Sequence, residues 1–248
     1  MIMKKLVAMA VVLTVVFAAH LYAKKASTTL YKIKGGITVD AKLDDWKALG
    51  IKPIQLNKKE QVAIGGMIWD SAEVKPSADI YVTFTDDDIY LLADVTSKQG
   101  IFNNKTEGNI YDGNSVELFV GFDNSDPNRE IYSQSDYQIG ISPGSISKST
   151  GKYDPKPSIY VYNLNKQVTA GEVKSRATKK GYILEARIPA DVLEGYDIVE
   201  GLEIGFDVAL DDQADRGRTR KIQLTWEGDK DDWQHPKNWG QADIKAKK

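Results

Sequence analysis

Apolar and polar residues alternate with a period of two along several short segments of this 248-residue chain. In segment 203–210, the residues Ile204, Phe206, Val208 and Leu210 alternate with polar or small residues. A period of two places successive side chains on opposite faces of an extended backbone, so the pattern predicts half-buried antiparallel strands. It occurs in segments 79–85, 88–95, 115–122, 181–188 and 203–210.

Short runs rich in Asp, Asn, Ser, Gly, Lys and Pro separate the predicted strands, as expected for turns. They lie at 86–88, 124–128, 142–144 and 179–181. Segment 189–193 is the one stretch whose pattern suits a helix, and it is a single turn long. About ten strands with this spacing predict an all-β fold, an antiparallel β-sandwich of jelly-roll type. Without a repeat or a low-complexity linker, we expect a single domain over residues 30–245.

The N-terminal residues have the pattern of a secretory signal. Lys4 and Lys5 precede an apolar run from 6 to 23. A short basic region followed by an apolar stretch is typical of a signal peptide, so residues 1–23 are predicted to direct export. The alternative is an uncleaved anchor, since ~18 apolar residues are just enough to cross a bilayer. In both cases we expect a secreted, periplasmic or envelope-associated protein.

The composition excludes several classes of function. The chain has no cysteine, which rules out disulfides, thiolate metal sites and a cysteine nucleophile. Its 33 basic and 35 acidic side chains give a net charge of −2, which does not favour nucleic acid, because that partner selects a basic face. Apolar residues make up 42% of the chain, enough for a core without cross-links. We expect a monomer that requires no cofactor.

Two turns carry aromatic rings that a folded core would not require there. Tyr111 precedes the predicted strand 115–122, and Trp233 lies in the polar segment 231–240. Rings on loops commonly contact something flat and apolar, and the face of a sugar ring is such a surface. In the second turn, Trp239 is the ring expected to pack against the sandwich, which leaves Trp233 exposed.

Glu117 is the candidate hydrogen-bonding residue beside Tyr111. It alternates with Val116 and Leu118, so it points away from the apolar layer. A carboxylate on a concave sheet face can accept hydrogen bonds from sugar hydroxyls. The alternative interpretation is a solvated strand carboxylate, and the neighbouring aromatic turn favours the first interpretation.

Clustered carboxylates on turns can bind calcium in an exported protein. Such clusters occur at Asp40/Asp44/Asp45, Asp86/Asp87/Asp88, Asp123/Asp126 and Asp211/Asp212/Asp215. None of them follows the spacing of the twelve-residue EF-hand loop. Solvated turns explain the clusters more simply, and one structural calcium ion stays open as an expectation.

Signals for an enzyme are weak. Segment 140–144 matches G-x-S-x-G, but Pro143 after the serine starts a turn where a nucleophile elbow needs a helix. Beyond the predicted signal, His235 is the only histidine, and no pair of carboxylates stands out by context. We therefore expect no catalysis. A haem-binding redox domain is an alternative function, with His235 and Met67 as the available axial ligands.

Six segments in a fixed order resemble the family 9 carbohydrate-binding modules, a β-sandwich group associated with xylanases and other polysaccharide-degrading enzymes. The resemblance covers nearly the whole chain after the predicted signal. The matching segments are VDAKLDDW at 39–46, DDDIYL at 86–91, DGNSVELF at 112–119, GYILEARIP at 181–189, GFDVALDD at 205–212 and the turn at 233–240.

The resemblance implies a non-catalytic module in which two rings clamp the terminal sugar of a polysaccharide such as xylan or cellulose. It places Tyr111 and Trp233 at the two ring positions. The same resemblance assigns polar contacts with the sugar hydroxyls to Glu117 and Gln138, and we expect Asn114 to assist them.

Two positions depart from the family pattern. Gly140 stands where an arginine is expected to grip the sugar, and Arg129 and Lys105 are the candidate replacements. Tyr111 offers a smaller ring than tryptophan. Two alternatives follow from the wider group of similar sandwiches: a domain that binds haem, and an envelope-associated structural protein that has lost sugar binding.

Overall fold

The computed structural model describes residues 25–147, 149–215, 217 and 219–247. The predicted signal segment at 1–23 lies outside the described residues. These residues contain fourteen strands, two short α-helices and four 3₁₀ turns. None of the described helices is long and apolar enough to cross a membrane.

The secondary structure agrees with the period-two segments. The strands, labelled in chain order, are β1 (Ser27–Lys32), β2 (Ile54–Leu56), β3 (Val62–Ile64), β4 (Ser77–Phe84), β5 (Asp88–Thr96), β6 (Ser115–Gly121), β7 (Asp136–Ser142), β8 (Ser158–Val161), β9 (Lys166–Gln167), β10 (Glu172–Ala177), β11 (Gly181–Pro189), β12 (Glu203–Asp212), β13 (Ile222–Thr225) and β14 (Gly240–Ala246). The α-helices are α1 (Asp44–Ala48) and α2 (Gly66–Ser71), and the 3₁₀ turns are Lys59–Gln61, Glu107–Asp112, Ala190–Val192 and Pro236–Asn238. The predicted strands are confirmed as β4, β5, β6, β11 and β12.

The helical prediction is only partly right. Segment 189–193 forms a 3₁₀ turn at Ala190–Val192 and no α-helix. The helices α1 and α2 have no counterpart in the sequence prediction, because five or six residues are too few to display a 3.6-residue period.

The strands form one hydrogen-bonded sheet that curls into the predicted β-sandwich. Neighbours follow the order β10-β11-β5-β4-β1-β14-β12-β6-β7-β8-β9, with β2 added beside β4, and β13 between β12 and β3. β1 runs parallel to both β4 and β14, whereas the other pairs are antiparallel. β1 thereby connects the layer that contains β4, β5 and β11 to the layer that contains β6, β7 and β12.

The core lies between these two layers. Leu91 of β5 and Leu184 of β11 share one buried cluster with Leu118 of β6 and Val208 of β12, and all four are fully buried. Burial of each such side chain contributes roughly 1.5–3 kcal/mol. Because strand side chains alternate, Glu117 points to the outer face of the β6–β12 layer, away from this core.

Segment 39–46, which carries part of the family resemblance, packs on the outer face of the other layer. Trp46 is fully buried, and its Nε1 donates to Glu185 Oε1 at 2.7 Å. The second oxygen of Glu185 accepts the backbone N–H groups of Asp40 and Ala41 at 2.8 and 2.6 Å. Burial raises the pKa of Glu185, and these hydrogen bonds oppose the rise. The role of this segment is therefore structural.

Several of the clustered carboxylates have protein partners. Asp88 pairs with Arg187 at 2.7 Å, and Asp86 pairs with Lys32 at 2.6 Å. Within the described ranges, no group of three or more Asp, Glu, His or Cys side chains is placed to hold a metal ion. A structural calcium ion stays a prediction.

Candidate functional site

A cavity of about 560 Å³ opens on the outer face of the β6–β12 layer. This volume falls in the range of about 300–1,000 Å³ that is typical of small-molecule sites. Strands β6, β7 and β13 supply the floor together with Arg220, while the turn Glu107–Asp112 and the loop 226–239 supply walls. The lining residues are Tyr111, Glu117, Phe119, Tyr132, Gln138, Tyr162, Asn163, Arg220, Gln223, Asp229, Lys230, Asp232 and Trp233.

The structure brings together four of the five residues that the sequence assigns to a site. Tyr111 and Trp233 line the cavity from different loops, and Glu117 and Gln138 line it from adjacent strands. Glu117 and Phe119 lie two positions apart on β6, so their side chains share one face of the sheet. Phe119 pairs with Gln138 of β7, which places the side chains of Glu117 and Gln138 on that same face. The predicted site residues from three regions of the chain therefore border one concave surface.

Asn114 is the fifth predicted residue, and it does not line the cavity. Its side chain is fully buried. The amide nitrogen lies 3.4 Å from Ser97 Oγ and 3.4 Å from the Gly100 carbonyl, and Oδ1 accepts the Gln213 N–H at 2.9 Å. Asn114 therefore ties neighbouring loops to the start of β6 instead of facing a ligand.

The Tyr111 ring is held by two contacts within the cavity. It belongs to the 3₁₀ turn Glu107–Asp112 and is 38% exposed. The Tyr162 ring meets it edge-on at a centroid distance of 6.1 Å, and the Arg220 guanidinium lies 5.5 Å from its centroid. A ring fixed by an aromatic edge and a cation offers its remaining surface in a defined orientation.

The turn that carries Tyr111 depends on close packing at Gly113. A β-carbon on Gly113 would come within 2.0 Å of Asn103 Oδ1, so larger residues do not fit. Asn103 is fully buried, and its Nδ2 donates to the carbonyls of Ile110 and Asn114 at 2.8 Å each. This amide therefore joins the 3₁₀ turn to β6 and sets the position from which Tyr111 projects.

The loop 226–239, which forms the opposite wall, carries two tryptophans that differ in burial. Trp233 is 55% exposed, whereas Trp239 is fully buried, as the sequence predicts. The Trp239 Nε1 donates to the Asp232 carbonyl at 3.0 Å, and the Tyr132 hydroxyl lies 3.3 Å from the same oxygen. The backbone immediately before Trp233 is therefore anchored to the sandwich.

Two buried carboxyl groups organise the same loop. Asp207 accepts the N–H groups of Trp226 and Gly228 at 3.1 and 2.9 Å, and Asp232 accepts that of Asp229 at 2.9 Å. Burial raises the pKa of Asp207 to about 7, although its backbone hydrogen bonds oppose the rise. Burial, followed by the charge of Asp207, raises the pKa of Asp232 to about 9. Asp232 is therefore mainly protonated at neutral pH.

Glu117 occupies the centre of the cavity floor. Its neighbours on β12 and β7 are the small residues Ala209 and Gly140, and the Tyr162 hydroxyl occupies the space over Gly140. The Gln138 side chain donates to Glu117 Oε2. Gln223 Nε2 lies 3.4 Å from Glu117 Oε1. The carboxyl group is therefore held by amides on both sides and is only 1% exposed.

Arg220 is the charged residue of the floor that sequence reasoning missed. Its Nη1 lies 2.8 Å from Asp211 Oδ1 and 3.4 Å from Glu117 Oε1. Burial raises the pKa of Glu117 well above its usual range; the charge of Asp211 adds to the rise, and Arg220 opposes it. Burial lowers the pKa of Arg220, but the charges of Asp211 and Glu117 outweigh this effect and raise it, so the guanidinium stays charged.

Neither of the arginine replacements suggested by the sequence lines the cavity. Arg129 pairs with Asp136 at 2.5 Å and lies over the buried Trp239 ring, 5.7 Å from its centroid. Lys105 Nζ lies 3.5 Å from Asp112 Oδ2, at the end of the turn that carries Tyr111. Both cations support the walls, and Arg220 is the arginine inside the cavity.

The lack of a side chain at Gly140 has a structural cause. A β-carbon there would lie 2.4 Å from the Tyr162 hydroxyl and 2.9 Å from two ring carbons of Tyr162. Tyr162 itself lines the cavity. It therefore fills the space into which an arginine at position 140 would extend, and Arg220 enters from a different loop.

The residues required for a haem site lie elsewhere. His235 contacts the Glu130 carbonyl through Nδ1 at 3.1 Å, and Met67 is 88% exposed on α2. Neither residue lines the cavity. No observation on the described residues favours haem.

Comparison with known proteins gives a consistent result. A family model described as "Carbohydrate family 9 binding domain-like" matches residues 55–247. The exoglucanase XynX of Acetivibrio thermocellus is 26% identical over 228 residues; the match covers 90% of this chain and 17% of that protein. The chain thus spans less than a fifth of the length of this relative.

Two solved structures share the fold. One is a family 9 carbohydrate-binding module from Caldicellulosiruptor kristjanssonii in complex with cellotriose; it has a TM-score of 0.59, is 18% identical, and the match covers 89% of this chain and 95% of that one. The other is such a module from the same organism in complex with glucose, with a TM-score of 0.57, 18% identity, and coverage of 89% and 97%. At this identity they establish the fold alone. Because the family model matches most of the sequence, the chain belongs to the carbohydrate family 9 binding domain-like family.

Proposed function

We propose that the protein binds the terminal sugars of a plant-type polysaccharide, such as xylan or cellulose, between Tyr111 and Trp233. Carbohydrate binding is the function of the family to which the chain belongs, and members of this family are binding modules, not enzymes. The site between the two rings and the class of polysaccharide are more specific than this general function.

The observation that carries the proposal is the position of the two loop rings on one cavity. Tyr111 and Trp233 are 38% and 55% exposed, respectively, and both border the concave surface that has Glu117 on its floor. Exposure of an aromatic ring to water is unfavourable, and stacking against the apolar face of a sugar removes ring surface from water. Between them, an apolar sugar face can meet either ring while the hydroxyls reach the floor.

The polar groups of the floor are suited to orient a sugar. Among the described residues, Gln223 Oε1 and Asp232 Oδ2 are buried without a hydrogen-bond partner, and both residues line the cavity. An unsatisfied buried polar atom costs about 1–3 kcal/mol, so a bound hydroxyl or a water molecule at these atoms is favourable. Gln138 and Glu117 provide further acceptors and donors beside them.

The relatives support the choice of ligand. The two solved modules from Caldicellulosiruptor kristjanssonii were bound to cellotriose and to glucose, and the relative XynX is an exoglucanase. We infer that the protein is exported and serves polysaccharide degradation carried out by a hydrolase. This agrees with the basic and apolar pattern of residues 1–23.

Affinity electrophoresis in gels that contain xylan, hydroxyethylcellulose or no polymer tests the ligand class. We expect retardation of the protein by at least one β-1,4-linked polymer, and reduced retardation of Trp233→Ala. Met67→Ala is the matched control, because Met67 is 88% exposed but lies outside the cavity. Equal migration of the wild-type protein in all gels would contradict the proposal.

A further inference from the structure

A second concavity adjoins the cavity that holds the proposed clamp. It has a volume of about 420 Å³ and lies between the loops 131–135 and 190–194 and the turn after β8. Asn163 borders both concavities. Its Nδ2 donates to the Asp136 carbonyl at 2.9 Å, and its Oδ1 accepts the Gln138 N–H at 3.3 Å. The boundary between the two spaces is thus a side chain fixed to β7.

The floor of the second concavity is also rigid. Tyr137 is 1% exposed, and its hydroxyl lies 3.1 Å from both the Gln134 carbonyl and the Glu194 carbonyl. Its ring packs against Phe122 at a centroid distance of 6.0 Å. One buried tyrosine therefore connects the two loops that form the walls, so the concavity is preformed.

The rim of this concavity carries polar side chains that have no partner among the described residues. Gln134, Asp191 and Glu194 are exposed, and their side chains make no hydrogen bond or ion pair with any other described residue. Beside them, Leu164 is 43% exposed. Unpaired hydrogen-bonding groups around an exposed apolar residue match the two kinds of surface on a sugar ring, its hydroxyls and its C–H face.

We propose that this second concavity is an extended subsite, which binds further units of a neutral sugar chain whose end occupies the clamp. The inference rests on the proposed function. A chain that leaves the clamp over Asn163 meets Leu164 and Gln134 next, so the site accommodates an oligosaccharide along the surface of the sandwich. Affinity then increases with chain length.

The charge of the rim restricts the sugar to neutral chains. Asp191 and Glu194 line the concavity, and no lysine or arginine is among its lining residues. Carboxylates accept hydrogen bonds from hydroxyl groups, but they repel the carboxylates of uronic acids. A chain of the same linkage that carries a carboxylate on each unit is therefore disfavoured at this subsite.

Calorimetric titration with glucose, cellotriose and cellohexaose tests the inference. The double variant Gln134→Ala/Leu164→Ala is compared with the wild-type protein and with Lys166→Ala, an exposed control in the neighbouring hairpin. We expect the double variant to bind cellohexaose about tenfold more weakly, the combined effect of one or two net hydrogen bonds and an apolar contact, with glucose binding unchanged. Both substituted side chains are exposed, and thermal unfolding verifies that the variant is folded.

The outcomes separate this inference from the function on which it rests. Cellohexaose binding that is unaffected by the double substitution, or reduced equally for glucose, overturns the subsite. A wild-type protein that binds none of the sugars contradicts the proposed function as well. In a second arm, a β-1,4-linked glucuronic acid hexamer should bind more weakly than cellohexaose, by a factor that shrinks as salt is added. A tighter or salt-independent complex overturns the selection for neutral chains.

Discussion

The Tyr162 hydroxyl stands directly over Gly140, where any β-carbon would approach it within 2.4 Å. While Tyr162 is present, position 140 has no room for a larger side chain. The cavity floor therefore holds a tyrosine from the turn after β8 in the space that a long side chain on β7 would need. Tyr162 thus occupies the space above position 140, and Arg220 supplies a cation to the cavity from another part of the chain.

Gly140→Arg is expected to destabilise the protein by about 1–3 kcal/mol, the usual cost of overpacking a filled site. The same substitution in a Tyr162→Ala background should cost less, because the space is then open. Urea denaturation of the four proteins in this cycle measures the coupling between the two positions. Strictly additive free energies would mean that Tyr162 does not limit position 140.

Removal of Arg220 should destabilise the protein in a pH-dependent manner. In Arg220→Met, Glu117 and Asp211 lose the cation that neutralises them, and breaking a buried pair in this way costs up to about 3–5 kcal/mol. The raised pKa of Glu117 lets this carboxyl take up a proton at low pH, which relieves the repulsion. The loss of stability should therefore be small at pH 5 and larger at pH 9.

Arg220→Lys is the matched control for this experiment, because it retains the charge but not the planar guanidinium that lies beside Tyr111. It should recover most of the stability at pH 9. A destabilisation of Arg220→Met that is identical at both pH values would contradict the electrostatic role of the side chain.

The sequence predicts the strands of this fold better than its cavity floor. Period two identifies β6 and the outward direction of Glu117, since both depend on local alternation alone. Arg220 has no such signal, because its partner Glu117 is 103 residues away and the connecting loop has no regular pattern. Asn114 follows Gly113 in the motif, but its burial results from contacts with loops that the motif does not contain.

Asp232 should make the stability of the protein fall as the pH rises. Its pKa is raised from an ordinary value of 3.8 to about 9 in the folded state, so the folded protein binds more protons than the unfolded chain between these values. The free energy of unfolding therefore decreases with pH across this window. Asp232→Asn retains an oxygen for the Asp229 N–H and removes the titration.

The Asp232→Asn variant is expected to be more stable than the wild-type protein at pH 9, on the order of 1–3 kcal/mol, and similar to it near pH 4. Denaturant titrations of both proteins at four pH values between these limits give one curve of unfolding free energy against pH for each. Parallel curves would show that Asp232 is ionised in the folded protein at neutral pH.

Truncation of the two tryptophans of the 226–239 loop should affect stability to very different extents. Trp239→Ala removes a fully buried ring and is expected to cost about 3–5 kcal/mol of stability. Trp233→Ala removes a ring that is 55% exposed and should change stability by less than about 0.5 kcal/mol. Thermal unfolding of both variants measures the difference, and a large loss in Trp233→Ala would indicate a structural role for this ring.

The central claim, that Tyr111 and Trp233 hold one saccharide, is tested most directly by calorimetric titration of cellotriose into the wild-type protein, Tyr111→Ala and Trp233→Ala. By analogy with other aromatic stacking surfaces, each variant should lose about 1–3 kcal/mol of binding free energy, equivalent to about 5- to 150-fold in Kd, while it remains folded. Unchanged affinity in either variant would contradict the clamp.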